Sequence, residues 1–199
     1  MGQIALATED ELSETVGCRL IEEYTPHHNV GLKLRRDGSG YLRANLKKLS
    51  ELSVHIPVLL ITDLDQTKCP SLLLNDWAGR MRLGKNLLLR VAVREIESWL
   101  LADQEAMRSL FAANTAKIPN EPDTISDPKR FLLNLARKAP AKIRNELVAD
   151  EGSTARQGLG YNAVLCDFVR KEWAPDRAAK RSTSLYRTIH RLRRLADEH

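Results

Sequence analysis

Carboxylates recur at the ends of the apolar runs in this chain. Residues 3–8 (QIALAT) lead into Glu9 and Asp10, and residues 29–36 (NVGLKLRR) lead into Asp37 in an Asp-Gly-Ser-Gly loop. Residues 56–62 (IPVLLIT) lead into Asp63 and Asp65, as Asp-Leu-Asp, and residues 86–93 (NLLLRVAV) lead shortly to Glu95 and Glu97. If the four runs are parallel strands, every one of these acids lies on the edge of the sheet where ligands bind in open α/β folds. Like charges gathered there repel, unless some are protonated or a cation neutralises them. Hard oxygen donors of this kind suit Mg2+ or Mn2+, which use one or two carboxylates and leave other positions to water and phosphate oxygens. Any single acid at a strand end is ordinarily a helix cap or a loop acid, and Asp-x-Asp alone is a weak motif. The combination carries the expectation of a metal site.

The acids converge only if the intervening segments fold as crossovers. Leu12, Val16, Leu20 and Ile21 recur at helical spacing after the first run, and Thr8 with Glu11 has the pattern of a capping box. Residues 41–52 read as a second amphipathic helix, with Leu42, Leu46, Leu49 and Leu52 inward. Pro70 opens a third through Leu72, Leu73 and Trp77, stopping near Gly79, and residues 94–111 form a fourth with a break near Asp103. This β-α-β-α-β-α-β order predicts an α/β, Rossmann-like parallel four-stranded sheet flanked by helices over residues 1–112. A Pro-, Asn- and Asp-rich loop follows at 114–128. Helices are then expected at 128–139, 142–149, 161–173 and 175–196, an all-helical extension over 113–199 packed on the core.

The extension is basic. The chain has 199 residues and a formal charge of +5; residues 1–105 carry 13 basic and 15 acidic side chains, and the remainder 18 and 11. Such lopsidedness points toward nucleic acid, whose phosphates need cations. Lys129 and Arg130 begin a helix, and Arg156 lies in a glycine-flanked loop. Arg177, Lys180, Arg181, Arg187, Arg191, Arg193 and Arg194 follow with no acid among them. On one continuous helix all but Arg193 share a side, and Leu185, Ile189 and Leu192 fall on another. The plainer readings of that stripe are a solvated outer face or a seam for an acidic partner; a membrane surface fits least, since the apolar side lacks Trp and Phe.

Other features exclude classes or are ordinary. Hydrophobic residues at 43% and charged residues at 29% match a globular protein. No apolar run approaches ~18 residues, the span a membrane helix needs, and the first residues reach acids by Glu9 with no basic lead, unlike a secretory signal. Cys18, Cys69 and Cys166 have no zinc-type spacing and read as free thiols in a reducing, cytoplasmic compartment. His27 and His28 sit in a turn and point apart. Trp77, Trp99 and Trp173 fall among apolar neighbours and read as core.

The placement of Glu9 after the first strand and Asp63-Leu-Asp65 after the third resembles the Toprim domain, the catalytic module of topoisomerases, primases and overcoming-lysogenization-defect nucleases. More closely, ATEDELSETV, LLITDLDQTKCPSLL, VAVREIESWLLAD, DPKRFL and QGLGYN with the tail beyond it look like the bacterial Toprim-related family called domain of unknown function 4276. The resemblance covers nearly the whole chain, and VREIESWLLAD is its most specific part. It implies a metal-dependent, phosphodiester-cleaving nuclease with Mg2+ or Mn2+ as cofactor. It also implies an ATPase as partner protein and a role in phage defence; a homodimer is compatible with it. By the resemblance and the charge argument together, Asp63 and Asp65 hold the metal and Glu9 is the general acid/base or a further ligand. Glu95 and Glu97 diverge by about 200° on a helix, so one of them faces the cluster. Glu95 is preferred as catalytic, leaving Glu97 to a partner such as Arg94 or a backbone amide, or to the metal. The departure is Asp10, where the Toprim pattern has Gly.

Three readings compete. DLDQT fits the nucleophile motif of haloacid-dehalogenase phosphatases, although that motif follows the first strand of their core and an acidic pair is missing downstream. A phosphoacceptor receiver domain would need a hydroxyl after strand four and a lysine after strand five. A non-catalytic regulatory or assembly subunit, keeping the metal site weakly or not at all, is the third.

Overall fold

The structure, a computed structural model, describes residues 2–35, 38–112 and 118–198. Four strands, β1 (Gly2–Thr8), β2 (His28–Arg35), β3 (Val58–Asp63) and β4 (Leu87–Ala92), pair in parallel in the order β2-β1-β3-β4. This is the Rossmann-like α/β sheet that the alternating pattern predicts. Its side chains alternate faces with the period of two that a strand imposes. Ile4, Leu6, Leu59, Ile61 and Leu88 enter one buried cluster, while Ala5, Ala7, Val58, Leu60 and Leu89 enter the other. Both faces are covered, so the central strands read as unbroken apolar runs.

The smaller face is covered by α2 (Ser39–Ala44), α3 (Leu46–Leu52) and α4 (Pro70–Ala78). The first two were expected as one helix. The break falls at Asn45, whose side-chain amide donates to the Tyr41 carbonyl at 2.9 Å, a local bond that competes with helix continuation. The larger face carries α1 (Glu11–Tyr24), α5 (Ile96–Leu101) and, from the second half of the chain, α7 (Pro128–Ala136), α9 (Tyr161–Lys171) and α11 (Thr183–Asp197). Gly17 lets α1 lie close on β1, because a Cβ there would come within 2.6 Å of Leu6 Cδ1. The remaining helices are α6 (Gln104–Phe111), α8 (Ala141–Leu147) and α10 (Pro175–Ala179), with a 3-10 turn at Pro122–Thr124 inside the expected loop.

Two further expectations change. The cap of α1 is Asp10, whose carboxylate accepts from Ser13 N at 2.8 Å; Thr8 is the last residue of β1, paired with Arg35, so the Thr8–Glu11 capping box does not form. The helix expected over 175–196 is two. Ser182 leaves the helical conformation and its hydroxyl accepts from Leu185 N at 3.2 Å, starting α11 afresh, as serine at an N-cap does.

Trp99 and Trp173 are fully buried, and each ring N–H is satisfied, from Trp99 to Ser184 Oγ at 2.8 Å and from Trp173 to the Trp99 carbonyl at 3.1 Å. Trp77 is partly buried against the smaller core. The three cysteines are free thiols. No helix among the described residues is long and apolar enough to cross a membrane.

Candidate functional site

The carboxyl ends of β1, β3 and β4 bring acids together as the parallel topology requires. Glu9, just past β1, reaches across to β3, where its Oε1 accepts hydrogen bonds from the Thr62 hydroxyl and, at 3.0 Å, from Asp63 N. Asp63 ends β3, and its Oδ1 is buried with no hydrogen-bond partner among the described residues. Asp65 stands two residues on, at φ 49°, in the left-handed region that asparagine and aspartate tolerate best among residues with a side chain. Its loop is held by Arg94, whose carbonyl accepts from Leu64 N and Asp65 N, and whose guanidinium donates to the carbonyls of Asp65 (3.2 Å) and Thr67 (2.7 Å). Arg94 therefore clasps backbone and is not the partner of Glu97. Asp10 adds charge nearby while capping α1. Asp37 lies outside the described residues.

The two glutamates divide the work differently from expectation, and they do not share a helix: Glu95 is the extended N-cap of α5 and only Glu97 lies within it. Glu95 Oε2 accepts from the backbone N–H of Lys129 at 2.9 Å, at the start of α7, so it is Glu95 that takes the amide. Glu97 is 2% exposed; it accepts from the Tyr161 hydroxyl at 2.7 Å and lies 3.6 Å from Lys129 Nζ, which also sits 5.2 Å over the Tyr161 ring. Glu97, rather than Glu95, is the strongest negative neighbour of Asp63. Tyr161 and Thr62 thus join the site without having been anticipated. The signal for Tyr161 is the Gly-Leu-Gly before it. A Cβ on Gly158 would lie 2.3 Å from the Glu146 carbonyl oxygen, so glycine lets the start of α9 tuck under α8 and bring the tyrosine to Glu97.

Electrostatics match the geometry. Burial pushes the Asp63 carboxyl well above the usual carboxylate range, and Glu97, Glu9, Asp10 and Asp65 push the same way. Burial also raises Glu9, against the opposing bonds from Thr62 and Asp63, and raises Glu97, against Lys129 and Tyr161. Asp65 and Glu95 are raised by burial too, with Lys129 opposing in both. Since these folded-state values exceed the unfolded ones, the folded chain binds protons more tightly. The resulting stabilisation is complete below the ordinary carboxylate range and is lost as pH rises through the raised values. In chelator, the melting temperature should therefore fall as pH rises across the interval above the ordinary carboxylate range. A steady rise over that interval, read by thermal denaturation, would mean that these acids are neutralised within the fold.

The fit to a metal is partial. Asp63 Oδ1, a buried oxygen without a donor, is the kind of atom a cation satisfies. Among the described residues, however, no three His, Cys, Asp or Glu side chains are grouped closely enough to form a ready cage. Magnesium binds through one or two carboxylates with water completing the shell, so the arrangement fits that ion better than a metal needing an all-protein cage.

The expected basic stripe is dispersed. Arg177 forms two bonds of 2.9 Å with Asp103. Arg191 and Arg194 both approach Glu198, and Arg193 approaches Asp176. Arg181 donates to the carbonyl of Pro119 at 2.6 Å. Arg130, Arg156, Lys180 and Arg187 are exposed, and none forms an ion pair among the described residues; Lys129 belongs to the acid cluster. Away from the acids, a cavity of about 560 Å3 opens at the amino end of the sheet beside His27, His28 and His55, and no carboxylate lines it.

The fold and site define a Rossmann-like α/β protein with a carboxylate cluster at the carboxyl edge of its sheet. No family model, curated protein or solved structure matches the chain.

Proposed function

We propose that the chain is a Mg2+- or Mn2+-dependent phosphodiester hydrolase of Toprim-like type, acting on nucleic acid, with an ATPase partner in a defence system. The observation that carries the reading is Asp63, a carboxylate with a buried, partnerless oxygen among four other acids, beside the single lysine that reaches them from α7. Asp63 and Asp65 would hold the ion, which when bound supplies Lewis-acid polarisation of a phosphoryl oxygen and a more acidic water. Glu9, with its proton affinity raised by burial and its place fixed by Thr62 and the Asp63 amide, is suited to accept or return a proton. Lys129 can meet a phosphoryl oxygen without leaving Glu97, and Tyr161 fixes the Glu97 carboxylate that holds Lys129.

A specific observation favours a second reading. One oxygen of Glu9 and one of Glu97 are already taken by protein donors, as in a regulatory subunit that has kept the fold and abandoned the chemistry. A phosphatase reading of DLDQT is weaker, because the motif ends β3 here, whereas in that family it follows the first strand of the core.

Incubation of supercoiled plasmid and of labelled RNA with the protein and Mn2+ or Mg2+ should give nicked or cut product. Asp65→Ala should abolish it and Lys129→Ala should slow it roughly 100-fold, the scale of losing one charge-stabilising group. Cleavage that persists in Asp65→Ala, or its absence with and without co-purified partner, supports the subunit reading instead.

A further inference from the structure

We propose that the cavity along the open edge of β4 binds a small organic phosphate of nucleotide size. This site goes beyond the hydrolase reading and does not rest on it.

β4 is an outer strand of the sheet, and a cavity of about 400 Å3 runs along it between α4 on one face and α11 on the other. That volume suits a small-molecule ligand. Arg90, in the middle of β4, lines it, as does Arg187 from α11. The Arg90 Nε is buried and has no hydrogen-bond partner among the described residues. Burial lowers its proton affinity, the neighbouring Arg191 lowers it further, and no carboxylate opposes them. A partly buried guanidinium beside another, with no counter-ion among the described residues, is costly unless something anionic completes it. Guanidinium groups match phosphate geometry, and two hydroxyl residues also line the cavity, Ser71 from α4 and Thr183 from α11.

The rest of the lining says what else the ligand carries. Asp123 accepts from Ser184 N at 2.9 Å through Oδ2, while its Oδ1 is buried with no partner among the described residues, an acceptor waiting for an N–H or O–H. Pro70, Leu74, Leu89 and Val91 supply an apolar wall for a flat or hydrophobic body. Phosphate, donor and apolar body together are the chemistry of a nucleoside monophosphate. A nucleic-acid backbone fits less well, since its affinity is carried by charge along an extended chain and gains nothing from the apolar wall.

The test is calorimetry and thermal shift in chelator, with inorganic phosphate, the nucleoside monophosphates, the corresponding nucleosides and a short single-stranded oligonucleotide as probes. At least one monophosphate should bind and raise the melting temperature, more tightly than inorganic phosphate or its own nucleoside. Arg187→Gln should weaken it about tenfold. Arg90→Met should abolish it while raising the melting temperature of the unliganded protein, which a merely structural arginine would lower. The proposal is overturned if no monophosphate binds, if both variants bind as well as the parent, or if inorganic phosphate binds as tightly as any nucleotide. It is equally overturned if only the oligonucleotide binds in an Arg187-dependent way. Chelator keeps the carboxylate cluster out of the experiment, so a failed hydrolase reading leaves these outcomes intact.

Discussion

Asp63→Asn is expected to melt roughly 3–6 °C above the parent protein in chelator, a gain of about 1–2 kcal/mol in a chain of this size. Most polar substitutions at part-buried positions destabilise, so the sign is diagnostic. The gain arises because Asp63 carries a partnerless buried oxygen, and Glu97, Glu9, Asp10 and Asp65 all oppose its ionisation. The amide removes the charge at nearly constant shape. The same change removes the anchor proposed for a cation. Saturating Mn2+ at about a hundredfold over its Kd should stabilise the parent by about 2.7 kcal/mol, and that response should vanish in the variant together with any cleavage of nucleic acid. Glu97→Gln provides the contrast: it is equally buried but paired with Tyr161 and Lys129, so its neutralisation should leave the melting temperature unchanged or lower. If Asp63→Asn melts below the parent and still responds to Mn2+, the carboxylate cluster is structural. The pattern is the one expected where a fold tolerates instability for the sake of a ligand.

The sheet was legible because its strands are apolar runs of the right length separated by helical periodicity, and the parallel order then forces Glu9, Asp63 and the α5 glutamates to one edge. What could not be read is where α5 begins. Glu95 is its N-cap, in extended conformation, whereas Glu97 lies in its first turn and is carried inward as Ile96, Trp99 and Leu100 sink into the larger core. The partners of Glu97 come from α7 and α9, distant in sequence and docked through apolar contacts that no local pattern specifies. The basic stripe misled for a related reason. Helical spacing places cations on a common side only if the helix is unbroken, and Ser182 breaks it; acids from elsewhere, Asp103 and Asp176 among them, then claim individual arginines.

Asp103→Ala should cause the largest loss of stability, about 3–4 kcal/mol, or roughly 6–12 °C. Asp103 is 1% exposed, and its carboxylate both caps α6 and ties it to the segment that opens α10. Its Oδ1 caps α6 through Ala106 N at 3.3 Å and meets Arg177 Nε at 2.9 Å; its Oδ2 accepts from Ala174 N at 2.8 Å and from Arg177 Nη2 at 2.9 Å. The alanine removes a helix cap worth about 1 kcal/mol and strands a backbone N–H, which costs a further ~1–3 kcal/mol. The guanidinium adds less, because it is itself 40% exposed and returns to water. Asp103→Asn, which keeps acceptor oxygen for the cap, should fall between, and Arg177→Met should cost only about 1 kcal/mol. This order separates a structural arginine from a phosphate-binding one. If Arg177 serves Asp103, its removal lowers the melting temperature and leaves the salt dependence of nucleic-acid binding unchanged; if it meets phosphate, the slope of affinity against salt falls by about one ion while stability holds. Because Asp103 joins the end of α5 to the start of α10, loosening it also frees the helices that set Glu97 against Tyr161. A loss of Mn2+ response in Asp103→Ala, at temperatures where the fold persists, would trace that dependence directly.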